Sequence, residues 1–282
     1  MEQRSVLVTG ASSGIGKETA LLLASKGFHV FAGVRRKADA EALARESTGS
    51  LVPLLVDVTD SSSIRGAAQA VRLAVRAHES FALVNNAGIA VAAPLELLSI
   101  DDLRRQFEVN LFGQVAVTQE FLPLLRALRG RIIFMGSLFG RIAVPLAGPY
   151  SAAKFALEAV AEAFAVELHP WKIPVSILEP GNIATPIWSK FRGRGGDAAR
   201  SGSTGEGLYG DVQASMMRLA EFFSRGGLTP VQVARVVHRV LTARRPRARY
   251  LVGWDAKLLG RIAPPSPAWL RHWVIRRIIA SR

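Results

Sequence analysis

The chain has 282 residues, 49% of them apolar, a formal net charge of +14 and no cysteine. That length and apolar share suffice for one large α/β domain with a full core. The missing cysteines exclude disulfides, thiolate catalysis and zinc–thiolate sites, and no metal site is expected. No uncharged run reaches the roughly 18 residues of a membrane-spanning helix, and no secretory leader is read ahead of the first strand. A reducing cytoplasm is the expected compartment.

The first strand-like run, Ser5-Val-Leu-Val-Thr9, breaks into Gly10-Ala-Ser-Ser-Gly14-Ile-Gly16 and then an apolar-periodic helix from Lys17 to Lys26. Strand, glycine turn and helix is the order that lets a backbone approach a pyrophosphate, with the free N–H groups and partial positive charge of the helix start aimed at it. The second strand, near 28–33, runs into Val34-Arg35-Arg36-Lys37. Proteins that select NAD place a carboxylate at that strand end for the ribose 2′-OH. Here Val34 stands at that position and Arg35 and Arg36 follow, so a 2′-phosphate, and hence NADP(H), is favoured.

Leu54-Leu-Val-Asp57-Val58 and Phe81-Ala-Leu-Val-Asn85-Asn-Ala-Gly88 each read as a buried strand ending in a small polar group, both at one edge of a parallel sheet. A helix near 101–128 carries Pro123, which should kink or interrupt it. Further strands are expected near 131–136, 174–179 and 249–253, and a helix from Tyr150 to His169 ended by Pro170. The alternation predicts a single doubly wound, Rossmann-type domain over residues 1–253 with a mainly parallel seven-stranded sheet. Arg192–Gly210, with seven glycines, has loop composition and falls in an expected mobile substrate loop over 186–228.

Ser137, Tyr150 and Lys154 bring a hydroxyl, a phenol and an ammonium together. Tyr150 and Lys154 are four apart and share one helix face. A cation within about 4–6 Å lowers an acid by roughly 1–3 pKa units, so the lysine should bring the phenol toward the range useful for proton transfer.

With Thr9-Gly-Ala-Ser-Ser-Gly-Ile-Gly16, Asp57, Asn85-Asn-Ala-Gly88, Asn110, Ser137, Tyr150, Lys154, Pro180-Gly181 and Thr185 in this order, the chain resembles the short-chain dehydrogenase/reductase family over roughly residues 4–253. Phe31-Ala-Gly-Val-Arg35 and Arg249-Tyr-Leu-Val-Gly253 resemble its hydroxysteroid and retinol dehydrogenase branch. The resemblance implies that Tyr150 is the acid/base, that Lys154 lowers its pKa and binds the nicotinamide ribose, that Ser137 holds the substrate carbonyl, and that Asn110 supports a water-linked relay to the lysine. It implies cofactor contacts from Gly10, Ser12, Ser13, Gly14, Ile15, Gly16, Asp57, Val58, Asn86, Ala87, Gly88, Pro180, Gly181, Ile183 and Thr185, beside Arg35 and Arg36. Homodimers or homotetramers are common in the family.

The loop between Ser137 and Tyr150, with Trp188, Phe191, Leu208, Tyr209, Met216 and Met217, could line a large apolar pocket for a bulky lipophilic ketone or secondary alcohol, steroid-like or aryl. Residues 244–282 hold ten Lys/Arg against one acid, Asp255, with Trp254, Trp269 and Trp273 interleaved. The extension at 254–282 either folds onto the domain or docks peripherally on anionic lipid. Nucleic acid is set aside, since no reading module accompanies the charge. The alternative to an enzyme is a catalytically silent dinucleotide-binding scaffold or sensor.

Overall fold

A computed structural model describes residues 4–76, 79–183, 205–224 and 227–280, with side chains in the third stretch from 208 to 219. Strands β1 (Arg4–Val8), β2 (Phe28–Val34), β3 (Leu51–Leu55), β4 (Ser80–Asn85), β5 (Arg131–Met135), β6 (Val175–Pro180) and β7 (Arg249–Val252) form one sheet in the order β3-β2-β1-β4-β5-β6-β7. Every pairing is parallel. Helices α1 (Gly14–Ser25), α2 (Lys37–Glu46), α3 (Ser61–Ala74), α4 (Ile100–Phe107), α5 (Gly113–Ala127), α6 (Gly148–Glu167), α7 (Gly205–Ser224) and α8 (Pro230–Thr242) cross between strands; α9 (Trp254–Ile262) and α10 (Ala268–Ala280) follow β7.

Both sheet faces are covered, and the strand sequences show why. Successive side chains of a strand point to opposite faces. Val6, Val8, Ala82, Val84, Ile133 and Met135 turn toward α1 and α8, where Leu23, Val233 and Val237 meet them. Leu7, Phe81, Leu83, Ile132 and Phe134 turn the other way, toward Val71 of α3, Phe121 of α5 and Leu157 of α6. Phe81 stacks on Phe121 with ring centroids 5.8 Å apart. Each such ring, fully buried, contributes about 1.5–3 kcal/mol.

One expectation is corrected. The helix near 101–128 does break, but not at Pro123. A π-helical turn at Glu108–Phe112 separates α4 from α5, and α5 runs through Pro123, which is exposed, so the carbonyl it leaves unpaired faces solvent. Part of the expected mobile loop is helical, since α7 begins at Gly205; Arg192–Thr204, Trp188 and Phe191 lie outside the described residues. The 254–282 extension contains two helices. Among the described residues no helix is long and apolar enough to cross a membrane.

The strand order reverses between β1 and β4, where crossovers leave to opposite sides. In doubly wound sheets the ligand crevice lies outside the carboxyl ends of the strands at such a point. The glycine turn after β1, the Asn85–Gly88 segment after β4 and the Ser137 loop after β5 all lie on that edge.

Candidate active site

Thr9 follows β1 and binds the turn after β4 to its own. Its Oγ1 accepts from the N–H groups of Asn86 and Ala87, each at 3.0 Å, while Asn86 Nδ2 donates to the carbonyls of Thr9 and Gly10 at 3.0 and 3.2 Å. The Asn86 side chain is thereby spent on the turn; beyond it Ala87 is buried and Gly88 exposed. Gly10 has φ +66° and a Cβ there would lie 2.7 Å from the Ala87 Cα; at Gly16 a Cβ would collide with the Gly10 carbonyl and the Asn86 amide. Only glycine fits either place. Ser13 starts α1 in an extended conformation without a side-chain cap, so the first-turn N–H groups of α1 and the exposed Ser12 and Ser13 hydroxyls make an anion cradle.

At the far end of this edge Val34 is buried and Arg35 exposed. Arg36 is committed to Asp39 through two hydrogen bonds of 2.8 and 2.7 Å, which holds the Asp39 carboxyl below its ordinary range. Asp57 Oδ1 accepts from the Thr59 N–H and hydroxyl. Val58 is 7% exposed and packs in the core.

Asn110 lies on the π turn, fully buried, and both ends of its amide hold Ile89: Oδ1 accepts from the Ile89 N–H at 2.8 Å and Nδ2 donates to its carbonyl at 2.9 Å. Gln106, one turn before, accepts from the Val91 N–H and donates to the Ile89 carbonyl, and Gln114, one turn after, donates to the Ala87 carbonyl. This buried amide ladder fixes the 87–91 segment under the crevice. Sequence reading singled out Asn110 alone, although amides at i, i+4 and i+8 were visible as a pattern.

Ser137 starts a 3₁₀ turn, Leu138–Gly140, and its Oγ accepts from the Phe139 N–H at 3.2 Å, which leaves the hydroxyl proton to point elsewhere. Tyr150 enters in the first turn of α6, its ring edge-on to Phe139 at 6.2 Å. Lys154 Nζ lies 5.7 Å from the Tyr150 ring centroid and donates to the Met135 carbonyl at 2.6 Å. The three residues converge as the spacing predicts.

The electrostatic balance differs from the sequence expectation. Part of the Tyr150 surface is open, yet burial of the phenol pushes its pKa up, and the group that opposes this is the Ser137 hydroxyl. Burial in turn pushes Lys154 down to about 8, with Glu158 working against it. Spacing alone could not show desolvation, which is the largest influence on the phenol.

Pro180 ends β6, and Gly181 donates to the Val252 carbonyl at 2.9 Å. Asp255, buried at the start of α9, accepts from the Asn182 N–H at 2.6 Å; sequence reading counted it only as the tail's lone acid. Ile183 bridges to Leu228. Thr185 lies outside the described residues.

A glycine turn and an unsatisfied helix start at the switch point of a doubly wound parallel sheet, with a Ser–Tyr–Lys group across the crevice, define a dinucleotide-handling oxidoreductase. The family model described as short chain dehydrogenase matches residues 4–194. Retinol dehydrogenase 5 of Homo sapiens is 37% identical over 97% of this chain and 88% of its own length. The NADPH-dependent 3-dehydrocapnine reductase of Ornithobacterium rhinotracheale is 35% identical over 88% of each. A short-chain dehydrogenase structure from Streptomyces avermitilis superposes with a TM-score of 0.74 at 25% identity, covering 99% of this chain and 98% of that one. The chain belongs to the short chain dehydrogenase family, and its relatives place it in the retinol dehydrogenase-like branch.

Proposed function

We propose that the protein is an NADP(H)-dependent oxidoreductase that interconverts a bulky lipophilic ketone and its secondary alcohol, with Tyr150 as acid/base. The observation that carries this reading is the convergence of Ser137, Tyr150 and Lys154 beside the Gly10–Gly16 cradle. The catalytic unit spans 1–253, with 254–282 as a basic extension.

The residues present fit a nicotinamide dinucleotide. The helix start of α1 has N–H groups and serine hydroxyls for a pyrophosphate, Arg35 stands exposed for a 2′-phosphate, and Asp57, Val58, Ala87 and Gly88 border the path between them. Pro180, Gly181 and Ile183 close the nicotinamide end. NADPH, when bound, supplies the hydride. Ser137, its Oγ oriented by the Phe139 N–H, donates a hydrogen bond to the substrate carbonyl and stabilises the charge that develops there. Tyr150 gives the proton to the same oxygen, and takes it back in the oxidative direction. A phenol whose pKa is pushed up keeps its proton at neutral pH, which suits donation during ketone reduction. Lys154 holds positive charge beside the phenol, and Asn110 holds the 87–91 floor.

The names of the relatives, which include retinol and 3-dehydrocapnine, support a lipophilic substrate. We place the protein in the cytoplasm, peripherally on anionic membrane through the extension. The exposed Ile100, Phe112 and Phe155 on α4 to α6 suit a homodimer or homotetramer.

The test is to follow the absorbance of NADPH with a panel of lipophilic ketones and retinal, for the parent and for Tyr150→Phe. The parent should turn over at least one, and Tyr150→Phe should lose roughly 100-fold or more of kcat while NADPH affinity holds. Activity of the variant within about tenfold of the parent would exclude Tyr150 as the acid. Cofactor binding with no turnover of any ketone would favour the silent scaffold.

A further inference from the structure

The face of α6 that presents Tyr150 and Lys154 continues one turn further to Glu158, and the chemistry above makes no use of it. Glu158 is 8% exposed, and Glu179, on β6, is fully buried. Carboxyls this deep are costly unless they are paired or protonated. Both approach a single nitrogen: Arg249 Nη1, from β7, lies 3.1 Å from Glu158 Oε2 and 2.8 Å from Glu179 Oε1. Arg141 Nη1 lies 3.5 Å from Glu179 Oε2. These are charge contacts, for no described group directs a hydrogen bond onto any of the four carboxyl oxygens. Two acids that share one guanidinium nitrogen, with no well-directed hydrogen bond onto either, are best satisfied by one proton held between them.

The cluster is built into the catalytic region from three sides. A Cβ on Gly140 would lie 3.1 Å from both the Glu158 Cγ and the Lys154 carbonyl, so the segment that carries Ser137 rests directly on Glu158. Arg141 ends that same segment. Glu179 precedes Pro180 and Gly181. The charged groups that face Glu158 are Lys154 on its own helix, Arg141 after β5, Glu179 on β6 and Arg249 on β7; Asp255 of α9 turns instead to the Asn182 N–H.

We propose that Glu158, Glu179 and Arg249 form a positioning unit for the reaction, set one helical turn behind Lys154 and beneath the Ser137 loop, which holds the ammonium in place and in its charged form beside Tyr150. The proposal rests on the assignment of Tyr150 and Lys154 made above. Glu158 carries the shared proton, because burial and the adjacent Glu179 hold its carboxyl well above the ordinary carboxylate range. As pH rises Glu158 releases that proton, and the resulting anion works against the burial that brings Lys154 down to about 8.

Two isosteric substitutions should then act in opposite directions. Glu158→Gln removes the anion, so Lys154 loses its charge sooner and the alkaline limb of kcat/KM for NADPH-dependent ketone reduction moves down by about one pH unit. Glu179→Gln removes the neighbour that keeps Glu158 protonated. Glu158 then ionises earlier, and the same limb moves up. A purely structural role would lower the plateau of both profiles without moving their limbs apart. Circular dichroism melts establish that each variant folds; if Glu179→Gln does not, the downward shift of Glu158→Gln decides alone. Limbs that coincide with the parent's, or that move in one direction together, overturn the proposal. Tyr150→Phe is measured alongside: if it is inactive and the limbs do not move, only the positioning role fails, whereas an active Tyr150→Phe overturns the assignment and the positioning role with it.

Discussion

At the scale of single residues, the two arginines after β2 are not equivalent. Arg36 is already engaged by Asp39 in a two-bond ion pair, while Arg35 is exposed beside it. A guanidinium with a carboxylate in its fork has little left for a phosphate. Arg35→Ala should therefore weaken NADPH by roughly tenfold or more and NADH far less, since a charge-assisted phosphate contact is lost only for the first. Arg36→Ala should have a smaller effect on that selectivity. Fluorescence titration of both cofactors reads the difference, and equal losses for NADPH and NADH would give Arg35 a structural task instead. The Arg36–Asp39 pair was present in the sequence as i and i+3 neighbours, so this distinction was legible in principle. The Glu158 cluster was not: Glu158 reads as an ordinary polar position on a helix, and only the arrival of Glu179 and Arg249 from β6 and β7 makes it a buried site. Tyr150, Lys154 and Ser137 were legible because their spacing matches helix and loop geometry, whereas the sign of the Tyr150 shift depends on burial that no spacing encodes.

At the scale of elements, the sheet was the most readable part. Its inner strands are continuous apolar runs bounded by small or polar residues, the pattern that burial on both faces demands, whereas β3, expected as a buried strand, is a half-exposed edge; the expected ranges fall within about three residues of those found. The α4–α5 boundary was misread, because a proline is a loud signal and a buried amide a quiet one. The chain tolerates Pro123 on an exposed face, yet turns at Glu108–Phe112, where Asn110 serves Ile89 and Gly113 lets the helix close on the Val58 carbonyl. The start of α1 is a tight junction of the nucleotide edge. Gly16→Ala places a methyl into the Gly10 carbonyl and the Asn86 amide, neither of which is free to move, since Asn86 also holds Thr9. Overpacking of this kind costs about 1–3 kcal/mol. The variant should melt several degrees lower and lose most of its NADPH affinity, because the displaced turn is the cradle itself. A melt and a titration that both match the parent would show that the turn has slack, and the close approach would not be the reason for glycine there.

At the scale of the whole molecule, the surplus of positive charge is concentrated where apolar side chains are also exposed. Trp254, Leu258 and Ile262 recur every fourth residue along α9, and Trp269 and Trp273 do so on α10, all of them exposed. Lys257, Arg261, Arg276 and Arg277 stand among them, while the only acid of the two helices, Asp255, is buried at Asn182. Arginine over tryptophan, as Arg277 lies 5.4 Å from the Trp273 ring, is the composition of a lipid headgroup boundary. The helix α10 is not a loose tail, for the Ser215 hydroxyl of α7 donates to the Ile279 carbonyl at 3.0 Å. Cutting it away would therefore disturb α7, and substitution of the outward rings is the cleaner test. Intact protein should sediment with phosphatidylserine-containing vesicles and much less with neutral ones. Association should weaken as salt rises, since attraction between surface charges is screened over about 8–10 Å at moderate ionic strength. Trp269→Ser with Trp273→Ser should release the protein from the vesicles and leave its melting temperature and NADPH binding unchanged, because both rings lie outside the core and far along the chain from Gly10–Gly16 and Tyr150. Failure of the parent to sediment at low salt would exclude the membrane, and a double variant that unfolds would show that these rings pack against the protein and not against lipid.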